Sequence, residues 1–332
     1  METKELLNVL EKVKPGIASK NVIESMTYFY FSGTDIITYN DQISIQHPFK
    51  TKFNLFVKAQ DLYKLISKLT EKEIKIEEKD GKLSLTCKTL KANLNTMNDP
   101  EVIERIKNVS DSLNKAEWKS LPENFCDSIT LCSFSTSTRD SDGTLTCVHI
   151  DGKHCVSSDN NRISHAILTE EMDNMFIKAT EIKNLDNIRP TQYSVTKSWL
   201  HFKNADNCIF SIRKITGEFP AYLQFFNFEG KEVNLPKEIL EGINLTSILA
   251  GDSNPAIKFK IAKGFCMLSS NSDAGTITHR SKIKYNDEEI NFTINPDFLK
   301  QMMSHSSTIT VGEDKAKLQT GNSFSLLTLF FS

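Results

Sequence analysis

Apolar positions along the chain fall into two periodicities. Near the start, Leu6, Leu7, Leu10 and Val13 recur at helical spacing, with Lys4, Asn8 and Lys12 on the opposite side. The same spacing joins Leu62, Leu65, Ile66 and Leu69, which sends Lys64 and Lys68 outward together one turn apart. Ile182 and Leu185 predict a third helix with Lys183 outside. Phe298, Leu299 and Met302 predict another with Lys300 outside. Between these stretches the pattern alternates, as strands do: Glu73-Ile74-Lys75-Ile76-Glu77, Lys82-Leu83-Ser84-Leu85-Thr86, and Ser306, Thr308 and Thr310 interleaved with Ile309 and Val311. Asp80-Gly81, Asp142-Gly143 and Asp151-Gly152 predict hairpin turns.

The elements repeat. Phe56-Val57-Lys58-Ala59-Gln60-Asp61-Leu62, Phe176-Ile177-Lys178-Ala179-Thr180-Glu181-Ile182 and Phe292-Thr293-Ile294-Asn295-Pro296-Asp297-Phe298 start at 56, 176 and 292, so they lie 120 and 116 residues apart. Each runs from an extended Phe-headed start to an acid in the first turn of a helix, where the helix dipole favours it. Leu121-Pro122 with Phe125 and Ile129 matches Leu235-Pro236 with Ile239 and Ile243, 114 residues on, and Lys4-Glu5-Leu6-Leu7 resembles Lys237-Glu238-Ile239-Leu240. Pro122 and Pro236 suit a first helical position. A period near 115 is too long for a solenoid. It predicts three repeated α+β domains, each an antiparallel sheet with two helices on one face. Boundaries are expected near 105–116 and 223–232, giving domains 1–110, 111–226 and 227–332. Chance recurrence is the competing reading, and two independent sets of matches weigh against it.

Composition narrows the class. The chain has 332 residues, 39% hydrophobic and 25% charged, which is ordinary for a globular protein. No apolar run reaches the ~18 residues of a membrane span, and Met1-Glu2-Thr3-Lys4-Glu5 lacks a signal-peptide core. Seven cysteines without such a signal suggest reduced thiols and a cytoplasmic location. The 40 basic against 42 acidic residues, a net charge of −2, look unfavourable for nucleic acid. Their distribution says otherwise: lysines recur on the predicted helix faces, and acids such as Glu71, Glu73, Glu77, Glu78, Asp80, Asp287, Glu288 and Glu289 sit on strands and loops. Solvated lysine faces are common, but this pattern also suits sequence-blind contact with phosphates.

No catalytic constellation emerges. Cys147, His149, His154 and Cys155 cluster, yet a turn at Asp151-Gly152 would pair His149 with His154 and send Cys155 to the other face, leaving too few ligands for a metal. The chain has no Cys-x-x-Cys and no phosphate-cradling glycine motif. Asp140-Ser141-Asp142 has no distal Glu in register for calcium. Glu77-Glu78 and Glu170-Glu171 read as solvated acids. The expectation is no enzyme, no cofactor and no metal.

Four stretches stand out: Gly143-Thr144-Leu145-Thr146-Cys147-Val148-His149-Ile150-Asp151-Gly152, Ser158-Asp159-Asn160-Asn161-Arg162-Ile163, Gly217-Glu218-Phe219-Pro220-Ala221-Tyr222, and Phe292 to Met302. In them the chain resembles the β sliding clamps, the processivity subunit of bacterial DNA polymerase III and its phage relatives. The first looks like the family's paired strands, the second stands where the family has Thr-Asp-Gly-His-Arg-Leu, the third matches Gly-x-Phe-Pro-Asp-Tyr, and the fourth looks like the family's Asn-Pro-x-x-Leu helix. The resemblance covers essentially the whole chain and is diffuse.

It implies a closed ring of two chains joined head to tail, encircling double-stranded DNA in the cytoplasm, bacterial or phage-infected, and tethering a replicative polymerase and clamp loader through short peptide motifs. Edge strands at the chain's ends, such as 323–330, would be completed by the partner chain. A non-ring interaction scaffold on the same domain is the alternative. By resemblance Lys20, Lys68 and Arg139 are DNA contacts; helix-face geometry adds Lys12, Lys58, Lys64, Lys178, Lys183 and Lys300. The family's peptide cleft would be formed by Asn161, Arg162, Ile163, Leu326, Leu327, Leu329 and Phe330. Asn160-Asn161 and the ending Leu329-Phe330-Phe331-Ser332 depart from the family pattern, which leaves peptide preference open.

Overall fold

The computed structural model describes residues 1–18, 23–88, 90–251, 255–321 and 324–330. The chain divides into two compact units, Met1–Cys126 with Met175–Thr216, and Asp127–Asn174 with Gly217–Ser332. Seven helices lie among the described residues: α1 (Thr3–Val13), α2 (Ala59–Ser67), α3 (Pro100–Leu113), α4 (Phe125–Ser133), α5 (Ala179–Ile188), α6 (Ile239–Ser247) and α7 (Pro296–His305). The repeat is visible in them. Helices α2, α5 and α7 each follow a strand within two residues, after Leu55–Lys58, Arg162–Lys178 and Ile290–Ile294, and α4 and α6 start 114 residues apart, at 125 and 239. Phe125 N–H and Ile239 N–H donate to the carbonyls of Pro122 and Pro236, so each proline opens a turn ahead of its helix instead of occupying the helix's first position.

The first unit is built on an eleven-stranded antiparallel sheet running from Lys75–Lys79 at one edge to Lys119–Ser120 at the other. Leu6, Val9, Leu10 and Val13 of α1 are buried, while Leu7 is only half-buried. Helix α2 buries Ala59, Leu62 and Ile66; α5 buries Ile182, Leu185 and Ile188. The Asp80-Gly81 turn forms as expected, with φ of 52° and 70°, the paired positive values that a two-residue hairpin needs.

Helix α3 overlaps the stretch read as a polar boundary. Asp99 caps it, accepting from the N–H groups of Glu101 and Val102, and Pro100 takes the first position. Val102, Ile106 and Val109 are buried against Tyr39 and Trp199. Each contributes roughly 1.5–3 kcal/mol, enough to hold a segment whose other positions are polar.

The second unit holds a six-stranded sheet and a four-stranded sheet. Here two of the expected hairpins fail. Strand Cys147–Ser158 runs straight through Asp151-Gly152. Both flanks, Cys147–Ile150 and Cys155–Ser158, are fully buried, so the chain continues and Gly152, at φ 57°, adds a kink instead of a reversal. Asp142-Gly143 lies within a 3-10 segment, Asp140–Thr146. Phe324–Leu329 is not an edge: it pairs with Lys315–Thr320 on one side and Arg162–Lys178 on the other, and Ser323 lies outside the described residues. Lys75–Lys79 and Lys119–Ser120 end the first unit's sheet; in the second unit the terminal strands are Lys231–Asn234 and Cys147–Ser158 of one sheet and Gly275–Lys282 and Ile290–Ile294 of the other. Among the described residues, no helix is long and apolar enough to cross a membrane.

Candidate functional site

An apolar groove occupies the second unit. Its first wall is a sheet corner. Ile163 pairs with Leu327 and Arg162 with Thr328, so Ile163, Leu327 and Leu329 present one surface. The turn before them is closed by Asp159 Oδ1, which accepts from the N–H groups of Asn161 (3.0 Å) and Arg162 (3.1 Å). Asn160 takes φ 71° there, a conformation that asparagine tolerates better than other residues with side chains.

The second wall is the segment from Gly217 to Phe228. It is fastened at successive points. Thr144 Oγ1 donates to the carbonyl of Glu218 at 2.9 Å, and a side chain at Gly217 would strike Thr144. Phe219 stacks on His149 with ring centroids 5.1 Å apart. Tyr222 and Phe226 lie 5.5 and 5.7 Å from His165, whose Nε2 meets His154 Nδ1 at 2.9 Å. Burial, then the charge of His154, holds His165 down at about 4, so it is neutral at physiological pH; burial lowers His149 as well. Lys317 Nζ donates to the carbonyl of Phe226 at 3.2 Å. Between the two walls lies a cavity of about 180 Å³, lined by Ile163 and Leu327 on one side and by Phe219, Tyr222 and Phe225 on the other; Val156 packs with Ile163 and Leu327 in the core beneath. Phe225 leaves 39% of its surface exposed there, and Leu223, two residues earlier in the same segment, 54%.

Five of the seven expected groove residues line it: Asn161, Arg162, Ile163, Leu327 and Leu329. Leu326 is buried on the opposite face of its strand. Phe330 stacks on Phe292 at 4.6 Å, and Phe292 on Phe259 at 5.0 Å, in a separate aromatic column. Arg162 lines the groove but its guanidinium is engaged elsewhere. It lies between the rings of Phe134 (4.4 Å) and Phe298 (4.1 Å), bonds Asp159 at 2.9 Å and donates to Gln301 Oε1 at 3.1 Å. Phe219, Tyr222 and Phe225 were missing from the expected site, although Phe219 and Tyr222 stand in the Gly217–Tyr222 motif that carried the resemblance.

The coordinates superpose on solved structures over the whole chain. DNA polymerase III, beta chain from Streptococcus pneumoniae matches with a TM-score of 0.85 at 19% identity, covering 100% of this chain and 98% of that one. The fold is that of a sliding clamp. The sliding clamp of Bacillus subtilis matches at 0.82 with 18% identity, and the beta subunit of Thermotoga maritima at 0.83 with 14%, each again over 100% of this chain and 98% of the other. No family model and no curated protein matches the sequence.

On this sliding-clamp fold the expected DNA-contact residues take different positions. Lys58 and Lys64 are exposed, as is Lys68 at the C-cap of α2; Lys183 is exposed on α5, and Lys178 is half-buried. Lys12 is paired with Asp206 at 2.9 Å, Lys300 with Asp297 at 3.4 Å, and Arg139 with Asp142 at 3.0 Å. Lys20 lies outside the described residues. Charge segregation is less clean than the sequence suggested. Lys75, Lys79, Lys82 and Lys91 share one sheet face with Glu77 and Asp80, and Lys231 and Lys260 pair with Glu288 and Glu289. Among the described residues, no three His, Cys, Asp or Glu side chains are grouped to hold a metal.

Proposed function

We propose that the chain is a non-catalytic DNA sliding clamp of three repeated domains, 1–110, 111–226 and 227–332, acting in the cytoplasm. Two copies close head to tail into a ring around duplex DNA, and the groove takes short apolar peptides from a replicative polymerase and its clamp loader. The observation that carries the reading is the likeness to polymerase sliding clamps across the full chain at TM-scores of 0.82–0.85. The groove supports it: an open apolar cavity lined in part by exposed Phe225 suits an anchor of an extended peptide. Exposed lysines on α2 and α5 suit contact with a phosphate backbone, which is sequence-blind and therefore compatible with sliding.

Ring closure has its own support. The edge strands Lys75–Lys79 and Gly275–Lys282 carry unpaired backbone groups that a second copy would complete. Helix α6, packed on Gly275–Lys282, leaves Leu245 41% exposed, and Ile248 just beyond its end 70%. Light scattering should give a particle of about twice 37.6 kDa. Protein loaded on nicked circular DNA should stay bound and leave when the circle is cut. A strict monomer whose retention ignores DNA topology would overturn the ring and favour a scaffold.

A further inference from the structure

The sheet wall of the groove continues beyond its apolar residues. Where Phe324–Leu329 pairs with Lys315–Thr320, Leu327 stands opposite Lys317 and Leu329 opposite Lys315. Directly paired residues project to the same face, about 4.8 Å apart, so the two lysines extend the surface that Leu327 and Leu329 begin. Rings of the second wall fix where the charges lie. Lys315 Nζ is 5.8 Å from the ring centre of Phe225, which lines the cavity, and 5.6 Å from that of Phe228; Lys317 Nζ is 5.5 Å from the Phe228 centre. Both ammonium groups thus meet at one ring, which packs so closely on Gly312 that a side chain there would strike it. Lys315 is paired with Asp314 at 3.3 Å. Lys317 instead donates to the carbonyl of Phe226 at 3.2 Å, and among the described residues no carboxylate lies within salt-bridge range of it. Lysine stems commonly lie across aromatic rings with the head in water, but Lys317 is half-buried, and one carbonyl takes up one of its three N–H groups. A half-buried cation without a counter-charge beside an apolar groove favours an anion there.

We infer that the groove selects peptides carrying an aspartate or glutamate within two residues of their apolar anchor, the carboxylate being received by Lys317 with Lys315 beside it. The spacing supports this. An anchor seated on Leu327 and Leu329 lies one strand, about 4.8 Å, from the lysines, and an extended peptide advances about 3.3 Å per residue. A carboxylate on a near neighbour of the anchor spans that gap, and a distant one does not. Arg162, the other cation lining the groove, is paired with Asp159 and enclosed by Phe134 and Phe298, which leaves the two lysines to read the acid. The inference rests on the peptide-binding reading of the groove and narrows it from apolar ligands to acidic, apolar ones.

The test uses the full chain and a pool of octapeptides, acetylated and amidated, with two central leucines and randomised positions on either side. The capped ends confine carboxylates to side chains. Peptides retained by the chain should be enriched roughly threefold in aspartate and glutamate at the positions flanking the leucines. For a retained peptide, exchanging its acid for the matching amide should weaken binding about fivefold to tenfold, between the worth of an exposed ion pair and that of a hydrogen bond to a charged group. Lys317→Gln, which keeps a donor for the Phe226 carbonyl but no charge, should bind the two peptides equally, and Lys317→Arg should restore the preference. Lys315→Gln should have the smaller effect, because Asp314 already shares its charge. Retention without acid enrichment would overturn the inference and leave the peptide-binding reading standing. If no peptide is retained, that reading falls and the inference with it. Equal weakening of both peptides by Lys317→Gln would assign Lys317 to holding the wall and likewise overturn the inference.

Discussion

At the scale of single residues, the structure assigns roles that depend on neighbours far away in sequence. His201 is fully buried; its Nδ1 lies 2.8 Å from Ser211 Oγ and its Nε2 3.0 Å from Ser112 Oγ on α3. Burial depresses its pKa from 6.5 to about 4, so the folded chain holds it neutral. The unfolded chain binds a proton more readily between those values, so stability present above pH 6.5 is lost as pH falls toward 4. The loss at this site amounts to roughly 3 kcal/mol. Denaturant titrations at pH 7 and pH 5 should show the first unit weakening with acid, and His201→Gln should flatten that dependence while lowering stability at pH 7. An equal acid response in the variant would remove His201 as its source. Arg162 teaches the same lesson about legibility. Its place in the groove was readable from the turn motif, but Phe134, Phe298 and Gln301, which occupy its guanidinium, lie up to 139 residues away.

At the scale of elements, local periodicity was a good guide wherever one face of an element meets solvent. Helices α1, α2, α5 and α7 were legible for that reason, as was the Asp80-Gly81 hairpin. Helix α3 was missed because its three buried side chains are diluted among charges in Pro100–Leu113, although Asp99-Pro100 was a start signal in plain view. The turn expected at Asp151-Gly152 failed for the converse reason: a strand buried on both flanks overrides a local turn pair. Asp99 now supports a specific expectation. It caps α3 and also accepts from Ser25 Oγ at 2.6 Å, so Asp99→Ala should cost about 1–2 kcal/mol, seen as a lower melting temperature with unchanged helix content at 20 °C. Asp99→Asn should recover most of the cap. Equal losses for both variants would mean that charge, and not capping, is what matters there.

At the scale of the whole molecule, a near-zero net charge conceals local imbalance. Some helix cations are neutralised by neighbours, and others, such as Lys64 and Lys68 at α2, have no carboxylate in salt-bridge range among the described residues. The proposed assembly likewise turns on a few exposed apolar atoms. Replacing Leu245 and Ile248 by aspartate should leave the single chain's melting behaviour nearly unchanged, because both side chains are largely outside the core, yet shift light scattering toward 37.6 kDa. A persistent double-mass particle would move the interface elsewhere. The groove carries a further consequence for change over time. Its sheet wall is locked by strand register and by Arg162, whereas the opposite wall, from Pro220 to Phe226, is fastened mainly by ring stacking and a few backbone bonds. Under the proposed peptide-binding role, substitutions in that short segment would alter which ligands are accepted without disturbing the scaffold. A lineage taking on new ligands would then have a small, separable stretch to rewrite, and swapping it between chains of this fold should carry ligand preference with it.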